Sequence, residues 1–259
     1  MSKIISILKD YKSTTLPEMD EVALMERVDE KFTISFENTI DILSKINHKY
    51  LCLEINGKRF FTYQTEYFDD SNHSLFKNHQ NGKLNRYKIR FRDYVESKKT
   101  FLEVKFKSNK GVTKKTRISV PFRNKDLNKK NIKFIEKQTP YSSKDLEIKI
   151  KNNFDRVTLV NFQSKERVTI DFNLKFSSGK LEKKLDNICI IEIKREKGNR
   201  KSEILSILKE KRIRPTRFSK YTIGSCILNT NLKYNNFKRK LLFINKISKN
   251  GIIWNWFFW

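Results

Sequence analysis

The sequence predicts a mainly β, α+β fold: an antiparallel β-barrel closed on itself, with a polar cationic interior and helices packed outside. Three observations point there. Strand-length runs alternate charged with apolar residues, and side chains at i and i+2 share a face of a strand. Turn signals separate these runs at short intervals. Helical signals are few and fall between or after the strands.

Taken in order, residues 36–47 set Phe36, Ile40, Leu43 and Ile46 at helical spacing behind Ser35, a suitable cap. Runs at 50–55 and 59–68 flank Asn56-Gly57, a dipeptide that favours a tight hairpin. Strands are expected near 86–94, 100–107 and 112–120, with turns at 96–99 and 109–111. Helices are expected over 126–137 and 143–151, then strands near 154–162, 167–176 and 187–195, with a turn at Ser177-Ser178-Gly179. Ser202 is placed to cap a helix over 203–210, and a last helix covers 219–228. With only 7 Gly and 4 Pro in 259 residues, no linker breaks the run. The expected layout is a helical extension at 1–24, a main domain at 25–235 and a basic, aromatic tail at 236–259.

Lys and Arg number 56 against 29 Asp and Glu, a formal charge of +27, which favours polyanionic partners: nucleic acid, an anionic bilayer surface or a phosphate-rich small molecule. A Lys-, Asn- and Ile-rich composition accounts for many solvated lysines without accounting for the shortage of acids. Cys52, Cys189 and Cys226 lie far apart without metal-ligand spacing and read as reduced, buried thiols. No run approaches the roughly 20 apolar residues of a spanning helix, and no signal-peptide core is visible, so a cytoplasmic location is expected. The aromatic end at 252–259 is too short to span and suits docking on a partner, a bilayer interface or the domain itself.

The charged alternation carries the functional reading. Lys88, Arg90 and Arg92 oppose Ile89 and Phe91; Glu103, Lys105 and Lys107 oppose Leu102, Val104 and Phe106. Lys115 and Arg117 share a face, Arg167, Thr169, Asp171 and Asn173 oppose Val168, Ile170 and Phe172, and Glu192 with Lys194 opposes Ile191 and Ile193. For one strand alone, a solvated face is the simplest account. Repeated over many strands whose apolar faces are covered by helices, the charged face becomes the interior of a barrel wide enough for a ligand. Unpaired buried cations are costly, so such an interior requires water and an anionic guest. Triphosphate suits it: Arg grips its oxygens in pairs and Lys supplies point charges between them.

The order of motifs adds a resemblance. Glu26-Arg27-Val28-Asp29-Glu30-Lys31-Phe32 is followed by Tyr63-Gln64-Thr65-Glu66-Tyr67-Phe68-Asp69 with His79 after it, then Lys88-Ile89-Arg90-Phe91-Arg92, Phe101-Leu102-Glu103-Val104-Lys105 and Lys115-Thr116-Arg117. Phe154-Asp155-Arg156, Arg167-Val168-Thr169-Ile170-Asp171, Ile191-Glu192-Ile193-Lys194 and Phe218-Ser219-Lys220-Tyr221 complete the series. Over roughly residues 25–245 the chain resembles the VTC-type polyphosphate polymerase domain, a branch of the triphosphate tunnel metalloenzymes in the CYTH-like superfamily, in a bacterial stand-alone form.

That resemblance implies phosphate contacts at Lys31, Arg90, Arg92, Lys105, Lys115, Arg156, Arg167 and Lys220, further substrate contacts at Lys88, Lys107, Arg117, Lys194 and Ser219, and a metal-binding carboxylate at Glu192 for Mn²⁺ or Mg²⁺. It implies transfer of the γ-phosphate of ATP to orthophosphate or to a growing polyphosphate chain, a separate membrane protein as a further partner, and no specific nucleic acid. It also suggests that His79 organises the tunnel mouth. Glu103 reads as a neutralising neighbour of Lys105 and the arginines. The hydrolytic tunnel enzymes open with Glu-x-Glu-x-Lys, whereas Arg27 and Asp29 precede Lys31 here, which weakens hydrolysis as the main activity. Lys107 stands where some polymerases carry His. A tripolyphosphatase or nucleoside triphosphatase on the same tunnel, and a non-catalytic polyanion-binding module, are the alternatives.

Overall fold

The computed structural model describes residues 2–20, 22, 27–199 and 201–248. Glu26 of the first motif and the aromatic end at 252–259 lie outside them. The chain runs α1 (Ser2–Lys9), β1 (Ser13–Thr14), α2 (Leu16–Asp20), β2 (Arg27–Ser35), α3 (Phe36–Ile46), β3 (Leu51–Leu53), β4 (Phe60–Asp69), α4 (Ser74–Gln80), β5 (Arg86–Tyr94), β6 (Lys99–Lys107) and β7 (Thr113–Val120). It continues through α5 (Lys129–Gln138), a 3₁₀ turn (Ser143–Asp145), β8 (Glu147–Asn161), β9 (Glu166–Ser178), β10 (Leu181–Leu185), β11 (Ile188–Glu196), α6 (Glu203–Glu210), α7 (Lys220–Leu228), a second 3₁₀ turn (Asn235–Phe237) and α8 (Lys238–Ile247).

The main sheet has the order β2-β11-β9-β8-β4-β5-β6-β7, antiparallel at each step of that path. The expected hydrogen-bonded closure is not found: among the described residues no ladder joins β7 to β2, so the sheet is open. The free edge of β2 is instead taken by the loop after α6. Thr216 N–H donates to the Lys31 carbonyl at 2.6 Å, and the Thr216 and Thr33 hydroxyls lie 2.9 Å apart. The other edge, β7, exposes Lys114 and Lys115, charges that discourage further pairing.

Local signals account for most boundaries. The Ser35, Asn128 and Ser202 side chains accept from Asn38, Asn131 and Leu205 N–H and start α3, α5 and α6. Two expectations fail. Residues 147–151 continue β8 instead of forming a helix, because Ile148 and Ile150 alternate with Lys149 and Lys151 and pair with Phe68 and Tyr67 of β4. The hairpin at Asn56-Gly57 is limited to the Ile55–Lys58 bridge: β3 pairs with β1 and β8, while β4 pairs with β5 and β8. The two left-handed residues, Asn56 at φ 50° and Gly57 at φ 71°, make the turn, but β8 is long enough to hold β3 and β4 end to end.

The apolar face of β2, β8, β9 and β11 packs under α1, α3 and α6, joining Phe32, Val157, Ile170 and Ile191 to Leu8, Leu43 and Leu208. A second cluster joins Ile89, Phe91, Leu102 and Val104 to Leu75 of α4 and Ile135 of α5. A third lies on the opposite face, where Tyr67, Ile150, Phe154, Leu174, Phe176 and Ile190 receive α7 and α8. A bulge creates part of that seat. Asp155 pairs with Phe172 but Asn153 with Lys175, so the extra residue around Asn173, at φ 52°, turns Phe176 to the side of Asp171. Helix α7 therefore plugs one end of the charged face.

Gly224 lets α7 sit that close: a Cβ there would lie 2.5 Å from Phe176 Cδ1 and 3.2 Å from Ile150 Cγ2. Gly224→Ala is expected to lower stability by about 1–3 kcal/mol through overpacking. A urea titration checks this, and an unchanged midpoint would contradict the seating. Cys52, Cys189 and Cys226 are buried free thiols. Among the described residues no helix is long and apolar enough to cross a membrane.

Candidate active site

Strand register gathers the sequence-predicted cations onto one face. Lys88, Lys105 and Lys115 stand opposite one another on β5, β6 and β7, followed one step along by Arg90, Glu103 and Arg117. On the far wall Lys31, Glu192 and Thr169 align across β2, β11 and β9, with Asp29, Lys194 and Arg167 one step away. Arg156 on β8 faces Asp171 on β9.

The walls curl toward each other enough to interact. Lys105 is pushed down to about 8 by burial first and then by Arg90, against the pull of Glu192, with Lys31 adding to the repulsion. Lys88 is held well below its ordinary range by burial, then by Lys105, Arg90, Arg86 and Lys31. Lys105 keeps solvent-accessible surface although protein surrounds it.

Each acid in the bore has cationic partners. Glu103, 1 % exposed, accepts from Arg90 Nε at 2.7 Å and pairs with Lys115; burial raises its pKa, but Arg90, Arg92 and Lys115 bring it down to about 2. Asp171 accepts from Arg156 Nε at 2.5 Å and Nη2 at 2.9 Å and pairs with Lys220. Burial disfavours its charge, yet Arg156 and Lys220 hold its carboxyl well below the usual range. Glu192 pairs with Lys31, and burial is outweighed by Lys31 and Lys194, bringing it to about 2. Lys88, Arg92, Lys105 and Lys194 have no acid within ion-pair distance among the described residues. Lys88 Nζ donates to Ser219 Oγ at 2.9 Å, and Arg92 Nε donates to Thr65 Oγ1 at 3.2 Å.

Sequence reasoning missed the aromatic floor. Tyr63 and Phe154 stack with centroids 5.3 Å apart; Arg156 lies 5.0 Å from the Tyr63 centroid, Arg92 lies 5.8 Å from it, and Lys220 Nζ lies 4.0 Å above Phe154. Phe154 stands two residues before Arg156 and so shares its face, which was the available signal. Asp171 as a shared acid was likewise unassigned. Ser219 both caps α7, accepting from Thr222 N–H at 3.3 Å, and holds Lys88.

Other predicted residues lie at the margins. Arg167 donates to the Met19 carbonyl at 2.6 Å, engaging α2. Arg117 is exposed and stacks 4.4 Å from the Phe101 centroid, and Lys107 lies one step beyond Lys105 toward the β6–β7 turn. His79 sits on α4, edge-on to Phe237 at 5.8 Å; burial, then Lys88 and Arg86, push it down to about 2, so it packs as a neutral ring. A cavity of about 410 Å³ lined by Phe32, Leu205 and Leu208 opens on the apolar side of β2, away from the bore.

Glu192, paired with Lys31, has further oxygen atoms beside it that bear on a divalent cation. Asp29 is its diagonal neighbour, and Thr169 Oγ1, buried without a hydrogen-bond partner, stands directly opposite in the register. The donors are hard oxygens suited to Mg²⁺ or Mn²⁺. Among the described residues no group of three or more His, Cys, Asp or Glu could hold an ion, so the protein by itself offers an incomplete set of ligands.

A concave β-face lined with Lys and Arg and covered at one end by helix α7 places the chain among antiparallel sheet proteins with a cationic site. The VTC domain model matches residues 26–229, and the chain belongs to that family. Among solved structures, a Hippeastrum protein proposed as an adenylyl cyclase and reported to have a dominant triphosphatase activity is 14 % identical over 78 % of this chain and 96 % of its own, with a TM-score of 0.49. A Bacillus halodurans protein proposed as an adenylate cyclase is 14 % identical over 75 % of this chain and 94 % of its own, with a TM-score of 0.45. A conserved hypothetical protein of Pyrococcus furiosus is 12 % identical over 76 % of this chain and 99 % of its own, with a TM-score of 0.42. No curated protein matches the sequence.

Proposed function

We propose that this chain is a metal-dependent polyphosphate polymerase that transfers the γ-phosphate of ATP to orthophosphate or to a growing polyphosphate chain within the bore. The observation that carries this reading is the set Lys88, Arg92, Lys105 and Lys194, cations without an acid partner among the described residues, on the same concave face as Glu192. An anion of high charge density relieves the mutual repulsion of such a set. Arg92 offers a planar fork to non-bridging oxygens, Arg90 and Arg156 offer the N–H groups not engaged by Glu103 and Asp171, and Lys31, Lys88, Lys105, Lys115 and Lys220 supply point charges. Phosphoryl transfer depends on alignment and charge neutralisation, and a phosphate acceptor is already an oxyanion, so no general base is required. A divalent ion held by Glu192 and Asp29 would supply further neutralisation of the transferring group.

The pKa shifts predict a pH dependence. Burial pushes Lys105, Lys115 and Lys220 down to about 8, in the last two against the pull of Glu103 and Asp171 respectively. Each binds its proton less tightly folded than unfolded, so its charge costs stability below about pH 8, and that cost is relieved as pH rises toward the unfolded value of 10.5. Anion binding favours the charged forms. Tripolyphosphate affinity should therefore fall as pH rises through 8, with proton uptake on binding near that pH. Calorimetry in two buffers of different ionisation enthalpy measures the uptake; identical heats would contradict it.

Arg27 departs from the hydrolytic pattern, but Asp29 keeps an acid at the second of its two positions, on the same face as Glu192, and leaves a tripolyphosphatase as the second reading. Incubating the purified chain with ATP, Mn²⁺ and orthophosphate and resolving the products by size decides between them. A ladder of polymers supports the polymerase, orthophosphate release alone supports the hydrolase, and unchanged ATP supports a non-catalytic polyanion binder.

A further inference from the structure

One step beyond Lys88 and Lys105, on the same face, Arg86 of β5 stands opposite Lys107 of β6. Arg217 lies two residues before Ser219, the residue that holds Lys88. Lys240, in the first turn of α8, sits 5.7 Å from the Phe237 ring, against which His79 also packs. Four cations from four separate segments thus meet at the margin of the bore, and Arg86 is tied in place by donating to the Lys83 carbonyl at 2.8 Å.

Their mutual field is repulsive. Burial and then Arg217 lower Arg86; burial, then Arg86 and Arg217, lower Lys107; burial and then Arg217 lower Lys240. The neighbours that shift these groups are all cations. Unconstrained surface lysines relieve such repulsion by swinging apart in water, whereas Arg86, Lys107 and Lys240 are half-buried on regular elements. The arrangement continues the row of bore cations outward, and a linear polyanion already held at Lys88 and Lys105 would run directly onto it.

We propose that Arg86, Lys107, Arg217 and Lys240 form a rim subsite for the part of an inorganic polyphosphate chain that extends beyond the bore. This rests on the bore's binding phosphate chains. Lys240 lies past the stretch matched by the family model, so the rim includes a feature contributed by α8.

The test compares tripolyphosphate with long-chain polyphosphate, binding each to the wild-type chain and to Arg217→Gln/Lys240→Gln. Removing two rim charges is expected to weaken long-chain binding about five- to tenfold, with a shallower salt dependence, and to leave tripolyphosphate binding unchanged. The charge-keeping variant Arg217→Lys/Lys240→Arg should bind both as wild type, separating loss of charge from loss of fold. Equal long-chain binding by the wild-type and Gln variants overturns the rim. Failure of the wild type to bind tripolyphosphate overturns the bore reading instead. An equal loss of single-stranded RNA binding in the Gln variant overturns selectivity for polyphosphate and makes the rim a general polyanion surface.

Discussion

Arg156→Ala is expected to lower turnover of ATP by about 100- to 1,000-fold, the effect of losing one preorganised donor at a developing charge. Arg156 is firmly built in, with its guanidinium over Tyr63 and Phe154 and two of its five N–H donors on Asp171. Burial lowers its proton affinity, but Asp171 more than restores it, so it remains cationic at all accessible pH. The same substitution leaves Asp171, 3 % exposed, with Lys220 as its remaining ion-pair partner. Breaking a buried pair by removing one member costs about 3–5 kcal/mol, so a drop in melting temperature should accompany the loss of activity. Arg156→Lys separates the two effects. A single ammonium can still neutralise Asp171 but cannot at the same time aim further N–H groups at a phosphate, so most of the stability should return while turnover stays at least about tenfold down. Turnover near wild type in Arg156→Ala would remove this residue from the site.

Glu192→Gln should abolish metal-dependent turnover, a loss of at least about 100-fold, with little effect on folding. Its partner Lys31 keeps 30 % of its side-chain surface accessible and can turn to water. The sign of a second effect makes the prediction specific. Glu192 attracts Lys31 and Lys194 and opposes any bound anion, so its neutralisation should strengthen tripolyphosphate binding measured without divalent ions. A structural role for Glu192 would instead weaken binding and lower the melting temperature together. Full metal-dependent activity in the variant would assign the ion elsewhere.

Much of the fold was readable from short-range patterns. The alternation at 88–92 and 101–107 located β5 and β6 and identified their charged faces, because strand period is a property of adjacent residues. Ser35 and Ser202 marked helix starts for the same reason: the bond each makes is three residues away. Residues 147–151 were misread although Ile148 and Ile150 carry a strand period, since their conformation is selected by pairing with β4, some 80 residues earlier in the chain. The candidate site divides in the same way. Lys88, Arg90, Arg92, Lys105 and Glu192 were recognisable from strand faces and motif order, while the Tyr63–Phe154 floor required two strands to be laid side by side.

The amino-acid chain alone determined that most strands would carry a cationic face and that acids would be too few to neutralise it, because composition and a two-residue period are local properties. Tertiary structure decided that the sheet stays open, with Thr216 on the edge of β2, that a bulge at Asn173 turns Phe176 to receive α7, and that Arg167 goes to Met19 while Arg156 goes to Asp171. Each of those outcomes depends on which distant segment best satisfies an unpaired edge or fills an apolar surface, and that competition is resolved only when the whole chain has packed.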